Sequence, residues 1–309
     1  YLLLRTKNFN NIVGAKPMRK RLWSVLVIII SIIILGSVSY AAGPGTTGAN
    51  FLKIGVGARA AAMGEAFTAV TDDSTSLYWN PAGLTRLEGR ELSAIYNAWF
   101  EGIGQGYVSM GFPLLGGTLA LGVNYVNMGD LEGRDESGNP TGTFKASDLD
   151  ISVGFAGRLG KFLLGLSGGM LRSTVAADTK TAFLATLGTL VEINESFSVG
   201  VVAQNLGTKL GADSLPLILK VGLALELRSI SMAIDIGKSQ DTDLYYCLGL
   251  ESWIGSMLAL RAGYKIGKDI GPGWTAGVGF KASRFGLDYA YVPYGELGGT
   301  HRISLGIGF

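Results

Sequence analysis

Residues 301–309 read His301-Arg302-Ile303-Ser304-Leu305-Gly306-Ile307-Gly308-Phe309. From Ile303 onward the odd positions are large and apolar and the even ones small or polar, the signature of a strand with one apolar and one slim face. The same period runs back through the chain. Leu119, Leu121, Val123 and Tyr125 alternate with Ala120, Gly122 and Asn124, and Phe285, Leu287, Tyr289 and Tyr291 with Gly286, Asp288 and Ala290. Followed throughout, it predicts fourteen strands between residues 91 and 309. Most run about 9 to 12 residues, the length a tilted strand needs to cross a bilayer.

The connections sort into two kinds. Leu159-Gly160, Asn194-Glu195, Arg228-Ser229, Ile254-Gly255 and Ser283 are minimal turns, whereas 128–146, 173–179, 205–215, 266–271 and 293–298 read as longer loops. Short turns on one side and long loops on the other belong to an outer-membrane barrel. The slim face argues the same way, because Gly, Ala, Ser and Thr make a poor solvent surface but a good lumen lining. Phe155, Phe162, Phe197, Tyr264, Trp274, Phe280 and Phe285 fall towards strand ends, as aromatic girdles do. The expected fold is all-β: a transmembrane antiparallel β-barrel of about 14 strands, in the bacterial outer membrane, with lipid as its first partner.

Composition excludes several other classes. The chain is 48% hydrophobic and 16% charged, yet after residue 41 no apolar run is long enough for a spanning helix. The 26 basic residues include Arg5, Lys7, Lys16, Arg19, Lys20 and Arg21 ahead of any acid, so the remainder is net acidic against 24 Asp and Glu. No basic patch points to nucleic acid. One cysteine, Cys247, rules out an intrachain disulfide and a multi-cysteine metal site, and reads as a small lumen-facing residue.

Residues 1–41 read as upstream residues plus a secretory signal peptide starting near Met18: a basic Met18-Arg19-Lys20-Arg21, an aliphatic stretch to Leu35, and small residues to Ala41. Residues 42–90 follow as a predicted N-terminal hatch, and residues 91–309 as the barrel. Fourteen strands enclose more space than slim side chains fill, and only 42–90, rich in small and polar residues, is left to plug it. Within it, Ser74 to Trp79 predicts a helical turn capped by Asp72-Asp73, and Asn80 before Pro81 predicts its end.

Gly57-Ala58-Arg59-Ala60-Ala61-Ala62-Met63-Gly64-Glu65-Ala66, with Tyr78-Trp79-Asn80-Pro81-Ala82-Gly83-Leu84, resembles the N-terminal signature of the PorV/PorQ family. The Asn80-Pro81-Ala82 triplet is also similar to the hatch motif of FadL-type long-chain fatty-acid channels. A second matching stretch is Gln204-Asn205-Leu206-Gly207 with Leu215-Pro216-Leu217. Ile303, Leu305, Ile307 and the terminal Phe309 resemble the signal read by the barrel assembly machinery. The resemblance implies a fourteen-stranded barrel with a hatch and a non-enzymatic role in transport or secretion. On PorV lines that is a type IX secretion docking or shuttle component with secreted cargo proteins as partners. The alternative is a FadL-like channel for a hydrophobic small molecule such as a long-chain fatty acid.

The hatch residues expected to matter are Gly57, Arg59, Gly64, Glu65, Asp72, Asp73, Asn80, Pro81, Ala82 and Gly83, with Asn80 to Gly83 structural and not ligand-contacting. Arg59, Glu65, Asp72 and Asp73 are expected to find partners among the lumen charges Lys220, Glu226, Asp235, Glu251, Arg261, Asp288 and Arg302, since buried charges need partners. No cofactor, metal or catalytic residue is expected. His301 falls on the outward face near a strand end, and Asp130, Glu132, Asp135 and Glu136 lack the fixed order of a calcium loop.

Overall fold

A computed structural model describes residue 43, residues 45–267 and residues 270–309. The reading of residues 1–41 as a signal peptide lies outside the described residues. Fourteen antiparallel strands close on themselves in sequence order, with the first beside the last. They are β1 (Glu91–Ala98), β2 (Gly104–Leu114), β3 (Gly117–Arg134), β4 (Pro140–Leu159), β5 (Phe162–Val175), β6 (Asp178–Glu192), β7 (Phe197–Gly207), β8 (Ile218–Leu227), β9 (Ile230–Ser239), β10 (Tyr245–Ile254), β11 (Leu258–Ile266), β12 (Trp274–Ala282), β13 (Phe285–Pro293) and β14 (Gly299–Gly308). Closure pairs Glu91 with Gly308 and Ala98 with His301, so no strand edge faces lipid unpaired.

The alternation read from the sequence is the alternation of burial. In β14, Thr300 and Arg302 are buried, while Ile303 is 46% and Leu305 52% exposed. Leu121, Val123, Ile151, Val153, Leu250 and Leu260 are exposed in the same way, and the slim residues between them turn inward. In water each such side chain would forgo about 1.5–3 kcal/mol of burial. Around a whole barrel that favours a lipid-facing exterior.

Two loop readings are corrected by the structure. The 128–146 segment is mostly strand: β3 and β4 continue past a bulge after Asn127 and pair Asp130 with Lys145, Leu131 with Phe144 and Glu132 with Thr143. Charge and glycine hid a two-residue period that cross-strand pairs sustain, and only residues 135–139 turn, with Asp135 accepting from the Ser137 and Asn139 amides. Likewise 173–179 shrinks, because β5 and β6 pair out to Val175 and Asp178. The asymmetry between the barrel's ends therefore lies partly in strand length.

Residues 45–90 carry no strand. A 3-10 turn spans Asn50–Lys53, α1 spans Ala58–Ala62, α2 spans Ser76–Trp79 and a second 3-10 turn spans Pro81–Arg86. Asn80 is extended (φ −161°, ψ 102°) and stops α2, as the residue before proline should. Asp73 holds the approach to α2 by accepting from the Thr75 amide at 2.9 Å and from the Thr75 hydroxyl. Phe51, Ala58, Met63, Phe67, Leu77, Trp79, Ala82 and Leu84 are all buried, packed against the inward faces of the strands.

Candidate functional site

The site is the contact between this N-terminal segment and the lumen wall. Its first half is fastened by charge. Arg59 donates from Nε and Nη2 to the two carboxylate oxygens of Glu251 on β10, at 2.9 and 3.0 Å. Glu251 also accepts from Arg261 Nε at 2.5 Å, and Arg261 Nη1 donates to Asp288 at 2.6 Å. Arg59 Nη1 reaches Asp72 at 2.5 Å and lies 3.9 Å from Asp73. Glu65 accepts from Lys265 Nζ at 2.6 Å and stands 3.9 Å from Arg302, whose Nη1 donates to the Gly55 carbonyl at 2.8 Å. Burial alone would raise the Glu65 carboxyl, but Lys265, Arg302 and Lys220 overcome it and hold Glu65 down at about 2.

Asp235 works differently: one of its oxygens accepts from the Phe67 and Thr68 amides at 3.0 and 2.9 Å. Lys220 sits 4.6 Å over the Trp79 ring, a cation–π contact. Thr275 receives the Gly64 amide and donates to the Ala62 carbonyl. Gly64 (φ 64°) is held so close to the wall that a Cβ on it would lie 2.7 Å from the Tyr264 amide nitrogen. Gly57, also at positive φ (88°), precedes α1, whose first amide donates to Ser304 Oγ at 2.7 Å.

From Asn80 to Gly83 the second half is fastened by neutral polar groups and close backbone approach, with charge entering only at its ends, where the Ser74 amide meets Glu91 and Arg86 pairs with Glu192. Asn80 Nδ2 donates to the Thr68 and Thr189 carbonyls, and its Oδ1 accepts from the Ala82 amide. Pro81 and Ala82 lie on Gly165, where a Cβ would meet Ala82 N at 2.2 Å, and Gly83 is held as tightly against Thr71. Gln204 Nε2 donates to the Tyr78 and Trp79 carbonyls, while Asn205 Nδ2 donates to the Pro216 carbonyl. The Gln204–Gly207 and Leu215–Leu217 stretches are thus one structural unit, joining the wall to both the N-terminal segment and the β7–β8 connection.

A cavity of about 740 Å³ opens at the short-turn end, lined by charged residues including Arg59, Asp72, Asp73, Arg86 and Glu91. There burial, with the Glu91 and Asp72 carboxylates beside it, pushes Asp73 up to about 7 against the pull of Arg59. Glu226 is 46% exposed at this mouth, 3.8 Å from Arg86. At the other end Phe51 and Leu52 form an apolar cluster with Val126, Leu171, Leu184, Leu210 and Leu215.

Sequence reasoning missed Lys53, which pairs with Asp241 at 2.7 Å, and also Lys265 and Arg86. Lys265 was legible, since it has the parity of Arg261 on one strand. Asp241 lies in a loop, where no period points. His301 is exposed on the outer wall, bonded to Tyr289 at 2.7 Å. Ile303, Leu305 and Phe309 face outward, and Phe309 exchanges backbone hydrogen bonds with Arg90.

The described residues form a closed fourteen-stranded antiparallel barrel with residues 45–90 packed against the inward faces of its strands. The structure is similar to the CymD monoaromatic hydrocarbon channel, at 15% identity over 83% of this chain and 98% of that one, with a TM-score of 0.65. It is also similar to the Pseudomonas putida toluene transporter TodX (14% identity, 82% of this chain and 96% of that one, TM-score 0.59). A Pseudomonas aeruginosa FadL homologue matches at 11% identity over 82% of this chain and 97% of that one, with a TM-score of 0.52. No family model matches the chain, and no curated protein matches it in sequence. At these identities the likeness is one of fold.

Proposed function

We propose that this chain is a non-enzymatic outer-membrane channel for hydrophobic small molecules, and that residues 42–90 are its hatch. The carrying observation is how the segment is held. Among the described residues, apart from the Gly48 amide on the Ser214 carbonyl and the Arg90–Phe309 exchange, side chains and not backbone ladders attach it to the barrel. Such a segment can shift while the wall stays closed. The strand ladder closes on itself and the segment packs across the lumen above the cavity at the short-turn end, so on this reading passage requires that shift. The neighbours' described roles, a monoaromatic hydrocarbon channel and a toluene transporter, support this reading. The secretion-shuttle reading rests on the PorV/PorQ resemblance of residues 57–66 and 78–84, with the second matching stretch at 204–207 and 215–217.

The test is uptake of labelled toluene and of a labelled long-chain fatty acid by cells with an intact outer membrane, expressing the chain or an empty vector. Protein-dependent uptake of either supports the channel. Uptake of neither, with secreted proteins co-purifying from the outer membrane, overturns it in favour of the shuttle. Deleting residues 51–88 should leave an inserted barrel that leaks ions; failure to insert would make the segment a folding element first.

A further inference from the structure

One side of the lumen carries polar groups that the fastening of the N-terminal segment does not use. Tyr107 on β2, Asn124 on β3 and Asp150 on β4 are directly opposite one another in register and form one inward-facing row. Tyr107 and Asn124 are 3% and 1% exposed. Asn124 Nδ2 and Asp150 Oδ1 are buried and have no hydrogen-bond partner among the described residues. The buried Tyr107 hydroxyl stands beside Ser109, whose Oγ meets Ser74 at 2.9 Å and keeps a lone pair to accept from Tyr107. Asn124 is the end of an amide chain: Asn97 donates to Gln105 at 3.1 Å, and Gln105 donates to Asn124 Oδ1 at 3.1 Å. That chain commits Asn124 to presenting its amino group. Asp150 takes Ser152 Oγ on Oδ2 at 2.8 Å and leaves Oδ1 over Gly169.

Charge and surroundings narrow what such a row can accept. Asp148, buried on the same face of β4, and Asp150 have no ion-pair partner among the described residues, the lumen cations being engaged elsewhere. A carboxylate brought here meets two like charges, a juxtaposition that costs several kcal/mol in a desolvated site. Neutral hydroxyl groups suit it, accepting from Asn124 and donating to Asp150. The flanks are apolar: Leu171 is directly opposite Asp150, and Leu77 of the N-terminal segment lies over Gly122 and Gly154.

We propose that the inward row Tyr107–Asn124–Asp150 is a selectivity site that admits hydroxylated apolar compounds, such as alcohols and phenols, and rejects apolar carboxylates. The inference rests on the channel reading and deepens it. It is tested by comparing protein-dependent uptake of three molecules of one shape, toluene, para-cresol and para-toluate, in cells expressing the full chain. The expected result is para-cresol uptake exceeding para-toluate by about tenfold or more. Asp150→Asn should bring that ratio down several-fold by admitting para-toluate, and Tyr107→Phe should lower the ratio of para-cresol to toluene. Heat-modifiable migration on gels confirms insertion of each variant. If toluene enters but the wild-type ratio is near one, or neither variant changes its ratio, the row serves bound water only and the proposal is overturned. If none of the three enters faster than in vector controls, the channel reading itself fails and takes this one with it.

Discussion

The two halves of the N-terminal segment meet the barrel by different physics. Residues 58–67 lean on β9–β14 through Arg59–Glu251, Glu65–Lys265 and the Phe67 amide on Asp235. Residues 74–84 lean on β1–β7 through Asn80, Gln204, serine hydroxyls and glycines that leave no room for a Cβ, and only beyond them does Arg86 pair with Glu192 and Glu226 at the mouth. A desolvated ion pair resists separation strongly, because parting it leaves two bare charges in a poor solvent. Neutral hydrogen bonds and close packing yield in smaller steps. On the channel reading proposed above, the first half is expected to stay anchored and the second to move first.

The largest effect that would break this contrast is expected at Glu251. Glu251→Leu leaves Arg59 and Arg261 short of a counter-charge and should destabilise by about 3–5 kcal/mol, read as a fall in the thermal unfolding midpoint of the detergent-solubilised barrel. An unchanged midpoint would mean the pair is solvated and the anchor illusory. Next is Gly165→Val, which drives a side chain into the Ala82 backbone. It should cost about 1–3 kcal/mol and, by dislodging the second half alone, raise ion conductance in planar bilayers with residues 58–68 still protected from proteolysis. Asn80→Ala leaves the buried Thr68 carbonyl without its donor and should cost about 1–2 kcal/mol, with a smaller rise in conductance.

The smallest effect separates the halves by pH. Glu65 is held at about 2, below its ordinary 4.5, so its contribution is complete above pH 4.5 and is lost only as pH falls towards 2. Asp73 is raised from 3.8 to about 7, so the folded state favours its protonated form and stability at that turn declines as pH rises from about 4 to about 7. Amide protection factors should therefore hold for residues 58–66 between pH 5 and pH 8 and fall for residues 74–79. Equal behaviour of both halves would erase the distinction.

Much of this was legible in the chain itself. Period two revealed all fourteen strands, because a strand between lipid and lumen must alternate residue by residue. The same parity marked Lys220, Glu226, Asp235, Glu251, Arg261, Asp288 and Arg302 as inward charges; five of the seven are buried, while Asp288 is half-buried and Glu226 is exposed at the mouth. The β3–β4 extension was hidden, since beyond the bilayer neither face is held to one character and alternation fades. Partner choice was hidden as well. That Arg59 meets Glu251, and that Glu65 meets Lys265 across 200 residues of sequence, depends on where a segment without periodicity lies inside the barrel.

By itself, then, the sequence determined a lipid-facing barrel, the parity of its walls and a small-residue segment with nowhere to fold alone. Each follows from local alternation and composition, which act over neighbouring residues. Only the tertiary structure decided which charges pair, which glycines receive the Asn80–Gly83 backbone, and that Tyr107, Asn124 and Asp150 stand in one row with polar atoms to spare. Those depend on strand register around the closed barrel, set by the sum of all its pairings and not by any one stretch of the chain.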